Sequence, residues 1–228
     1  MIIGGIRKTT LIDYPGRIAS MIFTVGCTFA CPWCHNGALL DQGDGLDEKD
    51  IFDFLRRRRK IIDGLVISGG EPTVHEDLPR FISEVRKMGI LIKLDTNGSL
   101  PDRLEPLLDE KLVDYVAMDV KAPLEDYATV AGVGGFEDAI VRSIEIIMKK
   151  ALDYEFRTTF VPGLHDESSA EGIGRMVRGA KIHYLQYFRP VGTILDPEYR
   201  DKRRCTEEEL DRYSDIIGRY VEKAVCRI

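Results

Sequence analysis

Six short apolar runs, most of them followed by an amphipathic stretch of helix length, are the feature that most constrains this chain. Strands are predicted at Ile18 to Val25, Gly64 to Ser68, Leu91 to Asp95, Tyr115 to Val120, Glu155 to Val161 and His183 to Phe188. Helices are predicted near 47–60, 76–88, 101–111, 136–150 and 168–179, with a last one at 206–225. No Pro/Ser-rich linker or low-complexity segment interrupts the series, so one continuous α/β domain follows. Six parallel strands can form an open doubly wound sheet or an incomplete barrel, and periodicity does not choose between them. The chemically loaded residues do. Cys27 follows the first strand, Gly69-Gly70-Glu71 the second, Asp95 to Gly98 the third, Asp119 and Lys121 the fourth, and Arg189 the sixth. All lie at carboxyl ends, which in a barrel converge on one mouth. The expected fold is an incomplete (β/α)6 TIM-like barrel over 1–190, with a C-terminal extension over 191–228 that carries the last helix.

The 228 residues suit a single core. No apolar run approaches the length that crosses a bilayer, so no membrane partner is expected. The start, MIIGGIRKTTLIDYPG, has no basic flank, continuous apolar segment or cleavage site, and the chain is expected in the cytoplasm. With 32 basic against 38 acidic residues, interspersed, nucleic acid is not an expected partner. The basic run Arg56 to Lys60 closes a segment that opens with acids, the polarity that a helix dipole favours.

Three of the five cysteines fall at 27, 31 and 34, while Cys205 and Cys226 stand apart near the end. In a cytoplasmic protein this reads as metal binding. Three soft sulfur ligands can hold zinc or an iron-sulfur cluster, but closed structural zinc takes four ligands and no second CxxC exists. His35, adjacent to Cys34, does not easily reach the same metal. A [4Fe-4S] cluster on three cysteines leaves one iron open to a ligand.

The C-x3-C-x2-C spacing, with Trp33 before the last cysteine, resembles the signature of the radical S-adenosylmethionine (SAM) superfamily. The resemblance implies that the open iron binds the amino and carboxylate groups of SAM, and that one electron cleaves the sulfonium to a 5′-deoxyadenosyl radical. It implies a partial barrel of the radical SAM type. It also turns Ser68-Gly69-Gly70-Glu71-Pro72, by itself a tight turn, into the element that binds the SAM amino group. Asp95 ends an apolar strand, an unusual place for a carboxylate that binds nothing, and Ala117, Asp119 and Lys121 share one face of the next strand. These segments resemble those of the glycyl radical enzyme activases, including pyruvate formate-lyase activase. The resemblance implies a monovalent cation held by Asp95, Thr96, Asp119 and the Ala117 carbonyl, and SAM contacts from Trp33, Asn97 and Lys121. Arg157, Thr159 and Val161 resemble the activases' R-x-V-x-V-P-G strand near the SAM methionine, with Thr159 in place of an apolar residue. Arg189 lies where pyruvate formate-lyase activase has a SAM-contacting His and is expected to act electrostatically.

Ala131 to Gly135 lacks a GxGxxG frame and reads as a flexible loop on the substrate side. His75, His165 and His183 read as structural or solvent-facing. The opening Lys8-Thr-Thr-Leu-Ile-Asp13-Tyr14-Pro15-Gly16 is similar to that of anaerobic ribonucleoside-triphosphate reductase activating proteins. The implied reaction is abstraction of a hydrogen atom from a glycine of such a partner, with a low-potential electron donor such as flavodoxin or ferredoxin. The alternatives are activation of another glycyl radical enzyme, and a radical SAM enzyme acting on a small molecule, like 7-carboxy-7-deazaguanine synthase.

Overall fold

The computed structural model describes residues 1–40 and 43–227; residue 228 of the expected extension lies outside them. One eight-stranded sheet runs in chain order, with β1 (Ile3–Thr10), β2 (Ala19–Thr24), β3 (Gly64–Gly69), β4 (Leu91–Thr96), β5 (Tyr115–Asp119), β6 (Tyr154–Phe160), β7 (His183–Tyr187) and β8 (Ala224–Arg227). From β2 onward every pairing is parallel, and the connections carry α1 (Glu48–Arg58), α2 (Leu78–Arg86), α3 (Pro101–Asp109), α4 (Tyr127–Ala131), α5 (Glu137–Lys150), α6 (Glu167–Met176) and α7 (Glu207–Ile217). The six expected strands are β2 to β7. Each central strand has one face under the helices and one toward a lumen, which is why apolar residues run through it with little alternation.

Curvature is visible in who shares a cavity. Side chains from β1 (Arg7), β2 (Met21, Phe23), β4 (Asp95), β5 (Asp119), β6 (Arg157, Thr159) and β7 (Gln186) line one space of about 300 Å³. A flat sheet would hold β1 and β7 some six strand spacings, about 28 Å, apart. The sheet therefore curls into a partial barrel, and β1 and β8 are its two ends.

Two elements differ from the sequence reading. The segment Ile3–Thr10 is a strand, antiparallel to β2; its Gly4-Gly5 pair and exposed Arg7, Lys8 and Thr9 hide the apolar pattern of an edge strand. The helix expected over 206–225 stops at Ile217. Thr206 and Glu209 form its capping box, and Gly218 follows its last residue. The chain then turns and Ala224–Arg227 pairs with β7, whose outer edge would otherwise leave its backbone groups without partners. The extension after residue 190 thus continues the same sheet.

Candidate active site

The cysteine loop begins where β2 ends, and the next strand shapes its floor. Gly70 donates its N–H to the Thr24 carbonyl and Glu71 to that of Gly26. A Cβ on Gly70 would stand 2.0 Å from the Gly26 oxygen, and Gly69 has φ +122° with the Thr24 backbone closer than 2.6 Å to any Cβ. Only glycine permits this approach. Two segments then clamp the loop from outside. From α4, Ala131 accepts from the Ala30 N–H at 3.0 Å, and Val130 accepts from the Trp33 Nε1 at 3.1 Å. After β7, the N–H groups of Leu195 and Asp196 reach the carbonyls of Cys34 and Pro32, and Gly37 donates to Thr193. Ala131, the first residue of the expected loop 131–135, ends α4, and Gly132 is the helix's left-handed cap, φ +71°, packed on Ala30, while residues 133–135 are non-helical as expected.

Cys27, Cys31 and Cys34 all line the cavity, with Phe29, Trp33 and Asn97 beside them. The Cys27 Sγ accepts from the Phe29 N–H at 3.4 Å and the Asn97 Nδ2 at 3.6 Å. Burial pushes the Cys27 thiol up to about 11 and the Cys31 thiol up to about 12, so these groups ionise only with a metal or another cation in place. Among the described residues no three His, Cys, Asp or Glu side chains are grouped to hold a single metal ion. Three thiols spread along one cavity suit a cluster, in which each sulfur takes a different iron.

Below the thiols the lumen is charged. Arg157 stands between two carboxylates, its Nε 2.8 Å from Asp119 and its Nη1 3.3 Å from Asp95. Lys121 holds the other Asp119 oxygen at 2.9 Å and lies 5.2 Å from the centre of the Trp33 ring. Lys93, also buried, is 2.5 Å from Asp95. Burial alone would raise both carboxyls; Arg157, with Lys121 at Asp119 and Lys93 at Asp95, overcomes it and holds both below the usual carboxylate range. The negative charge of the two carboxylates, on which the resemblance implies a monovalent cation, is thus already compensated by side chains. Thr96 faces the cavity but gives its hydroxyl to Glu71, and Ala117 is fully buried on β5.

Glu71 is a second departure from the sequence reading. Its carboxylate is 0% exposed and accepts from Thr73 N, Thr73 Oγ1, Thr96 Oγ1 and Asn97 N, at 2.6 to 3.1 Å. It ties the β3 turn to the β4 turn from beneath, while Ser68, Gly69 and Gly70 form the cavity wall. Arg189 does not reach that cavity either. It is exposed and lines a lateral cleft with Ile12, Asp13, Val191 and Arg227. Asp13, Trp33, His35, Arg157, Thr159 and Gln186 line both spaces, so cleft and cavity adjoin.

The three histidines set apart as bland are built into the frame: His75 Nε2 meets the Val25 carbonyl, His165 bridges the Val161 N–H and the Lys121 carbonyl, and His183 meets Thr158. Cys205 and Cys226 contact the carbonyls of Phe160 and Leu210, away from the cavity. Sequence reasoning missed Lys93, Glu155 and Arg227. For the first two the signal was present: each is a charged residue flanked by apolar neighbours within a strand, as Asp95 is flanked by Leu94.

Comparison with known proteins agrees with this arrangement. The family model described as the radical SAM superfamily matches residues 21–171. A Methanocaldococcus jannaschii protein classed by name among the glycyl-radical enzyme activating enzymes is 34% identical over 99% of this chain and 95% of its own length. A 7-carboxy-7-deazaguanine synthase of Methanopyrus kandleri is 34% identical over 76% of this chain and 74% of its own. Among solved structures, a domain of pyruvate-formate lyase-activating enzyme from Bacteroides vulgatus superposes with a TM-score of 0.55, at 19% identity, over 72% of this chain and 99% of that one; at that identity it speaks for the fold.

Proposed function

This chain belongs to the radical SAM superfamily and, within it, to the glycyl-radical enzyme activating enzymes, and from that premise we propose that it activates an anaerobic ribonucleoside-triphosphate reductase by taking a hydrogen atom from one glycine of that partner. The observation that carries the reading is the lateral cleft between the two ends of the sheet, exposed at Ile12 and Val191 and adjoining the thiol-lined cavity through shared wall residues. An extended segment of another protein can enter there without crossing the mouth.

Cys27, Cys31 and Cys34 would hold a [4Fe-4S] cluster whose open iron takes SAM. When bound, the cluster and SAM together supply the electron and the deoxyadenosyl radical. The chain supplies the surroundings. Met21, Phe23, Phe29 and Trp33 give the cavity an apolar wall that excludes water. The backbone at Gly69 and Gly70 offers polar groups to the SAM methionine, and Asn97 holds a donor on Cys27. Lys121, held by Asp119 and Trp33, keeps a positive charge beside the cysteines. Arg157 and Thr159 face the methionine side, and Arg189 guards the cleft. A monovalent cation on Asp95, Thr96, Asp119 and the Ala117 carbonyl belongs to the same proposal, and it would share the two carboxylates with Arg157. SAM cleavage should then depend on potassium or sodium; equal rates in cation-depleted buffer remove the cation from the scheme. The electron would come from a flavodoxin or ferredoxin.

The test uses anaerobically reconstituted protein, dithionite, SAM and a reductase deuterated at the glycine of its C-terminal region. Deuterium should appear in 5′-deoxyadenosine alongside a glycine-centred doublet in the EPR spectrum. The similarity to 7-carboxy-7-deazaguanine synthase supports a second reading. Deuterium arriving from a small heterocycle, with no signal on protein, would move the assignment there.

A further inference from the structure

Glu155 lies at the floor of the lumen, 0% exposed, two residues before Arg157 on the same face of β6. A carboxylate so placed requires partners of opposite charge or strong donors. It has three: Nη1 and Nη2 of Arg227, each at 3.1 Å, and the Tyr115 hydroxyl at 2.9 Å. Arg227 comes from β8, the strand that replaces the end of the expected helix. Its guanidinium lies 3.6 Å from the centre of the Tyr184 ring, which orients it for the two-point contact. The next cation within reach of Glu155 is Arg157 itself, with Nη1 4.0 Å away. Arg157 therefore stands among three carboxylates, bonded to Asp119 and Asp95 and more distant, at 4.0 Å, from Glu155, which Arg227 holds at two points.

We propose that Arg227 is a positioning residue for the SAM site: by satisfying Glu155 it leaves Arg157 to Asp95 and Asp119. Without Arg227, the buried Glu155 charge draws the Arg157 guanidinium down β6, Asp119 is left to Lys121 alone, and the charge pattern under the SAM methionine changes. The inference rests on the reading of this cavity as a SAM site, and it makes the last strand a working part of that site.

A charge cycle tests it. In reconstituted protein, Arg227→Gln should weaken SAM binding, measured by equilibrium dialysis, by about tenfold or more, because a buried charge loses its partner and takes another's. The double variant Glu155→Gln/Arg227→Gln leaves no charge to draw Arg157 down, and should bind within about threefold of the parent. Arg227→Lys, which keeps the charge but loses the two-point contact, should fall between. An Arg227 that merely anchors β8 would leave the double variant as weak as the single one, and that result overturns the proposal, as does unchanged affinity in Arg227→Gln. Should Arg227→Gln fail to fold, a double variant that binds SAM more weakly than the parent by about tenfold or more overturns it. Thermal melting of the cluster-free variants separates folding loss from binding loss. If the parent protein itself does not bind SAM, the reading of the cavity fails, while the melts still report whether residues 155 and 227 are coupled.

Discussion

At the residue scale, position 70 shows how little space the site leaves. A Cβ there meets a carbonyl oxygen at 2.0 Å, and neither backbone can withdraw without breaking the hydrogen bonds that join the β3 turn to the cysteine loop. Gly70→Ala should destabilise the cluster-free chain by about 2 kcal/mol or more. Urea unfolding checks this, and a midpoint equal to the parent's would show the approach to be softer than the geometry says. His183 makes a different prediction. Thr158 donates to the Val120 carbonyl, so the His183 Nε2–H donates to Thr158, and Nδ1 is buried without a partner. Burial holds this imidazole down at about 3. An unfolded histidine titrates near about 6.5, so below that pH the unfolded chain takes up a proton that the folded one refuses. Stability should be flat above about pH 7 and fall as pH drops from about 6.5 toward 3. His183→Gln should shrink the loss of melting temperature between pH 7 and pH 5; an undiminished loss would place the titration elsewhere, with buried His165 the next group to examine.

At the element scale, the shortest helix carries weight out of proportion to its length. α4 ends in a left-handed glycine because only a residue without Cβ can turn there against Ala30, whose oxygen would lie 2.2 Å from an added carbon. Gly132→Ala should loosen the half of the cysteine loop that α4 holds through Ala30 and Trp33. The expected outcome is faster loss of cluster iron to a ferrous chelator, read by absorbance, with the helical circular dichroism of the chain retained. Iron release at the parent rate would show that the segment after β7, bonded to Pro32, Cys34 and Gly37, suffices to hold the loop. Of the stretch Ala131 to Gly135, which reads as loop because five residues with three glycines have no helical period, only Ala131 belongs to α4. Its order comes from contacts with a segment about a hundred positions earlier. The end of α7 differs from expectation because Tyr220 to Val225 continues an amphipathic pattern well enough to read as helix, and only the otherwise unpaired edge of β7 draws Ala224–Arg227 into the sheet.

At the scale of the whole molecule, the curl of the sheet makes one chemical site from residues spread from Arg7 to Gln186. Only three of the five cysteines stand there, so Cys31→Ala should lose the brown absorbance of the reconstituted cluster, while replacing Cys205 and Cys226 together should keep it. Full iron content in the Cys31 variant would undo the ligand assignment. The sequence by itself determined the strands β2 to β7, the placing of reactive residues at their carboxyl ends and the grouping of the thiols, because strand period, turn chemistry and ligand spacing are local and survive without knowledge of neighbours. It also picked out Asp95 from a charge at the end of an apolar strand, Asp119 and Lys121 from their shared strand face, and Arg157 through the family resemblance of its strand. The tertiary structure decided which charge meets which. Arg157 lies between Asp95 and Asp119, Glu71 is turned under the wall to hold Thr96 and Asn97, Arg189 faces the cleft, and Arg227 reaches Glu155 from the last strand. Those pairings depend on strand register and on the closing of a barrel, which bring together residues as many as 72 positions apart, and no local pattern encodes where a long side chain will find its opposite charge.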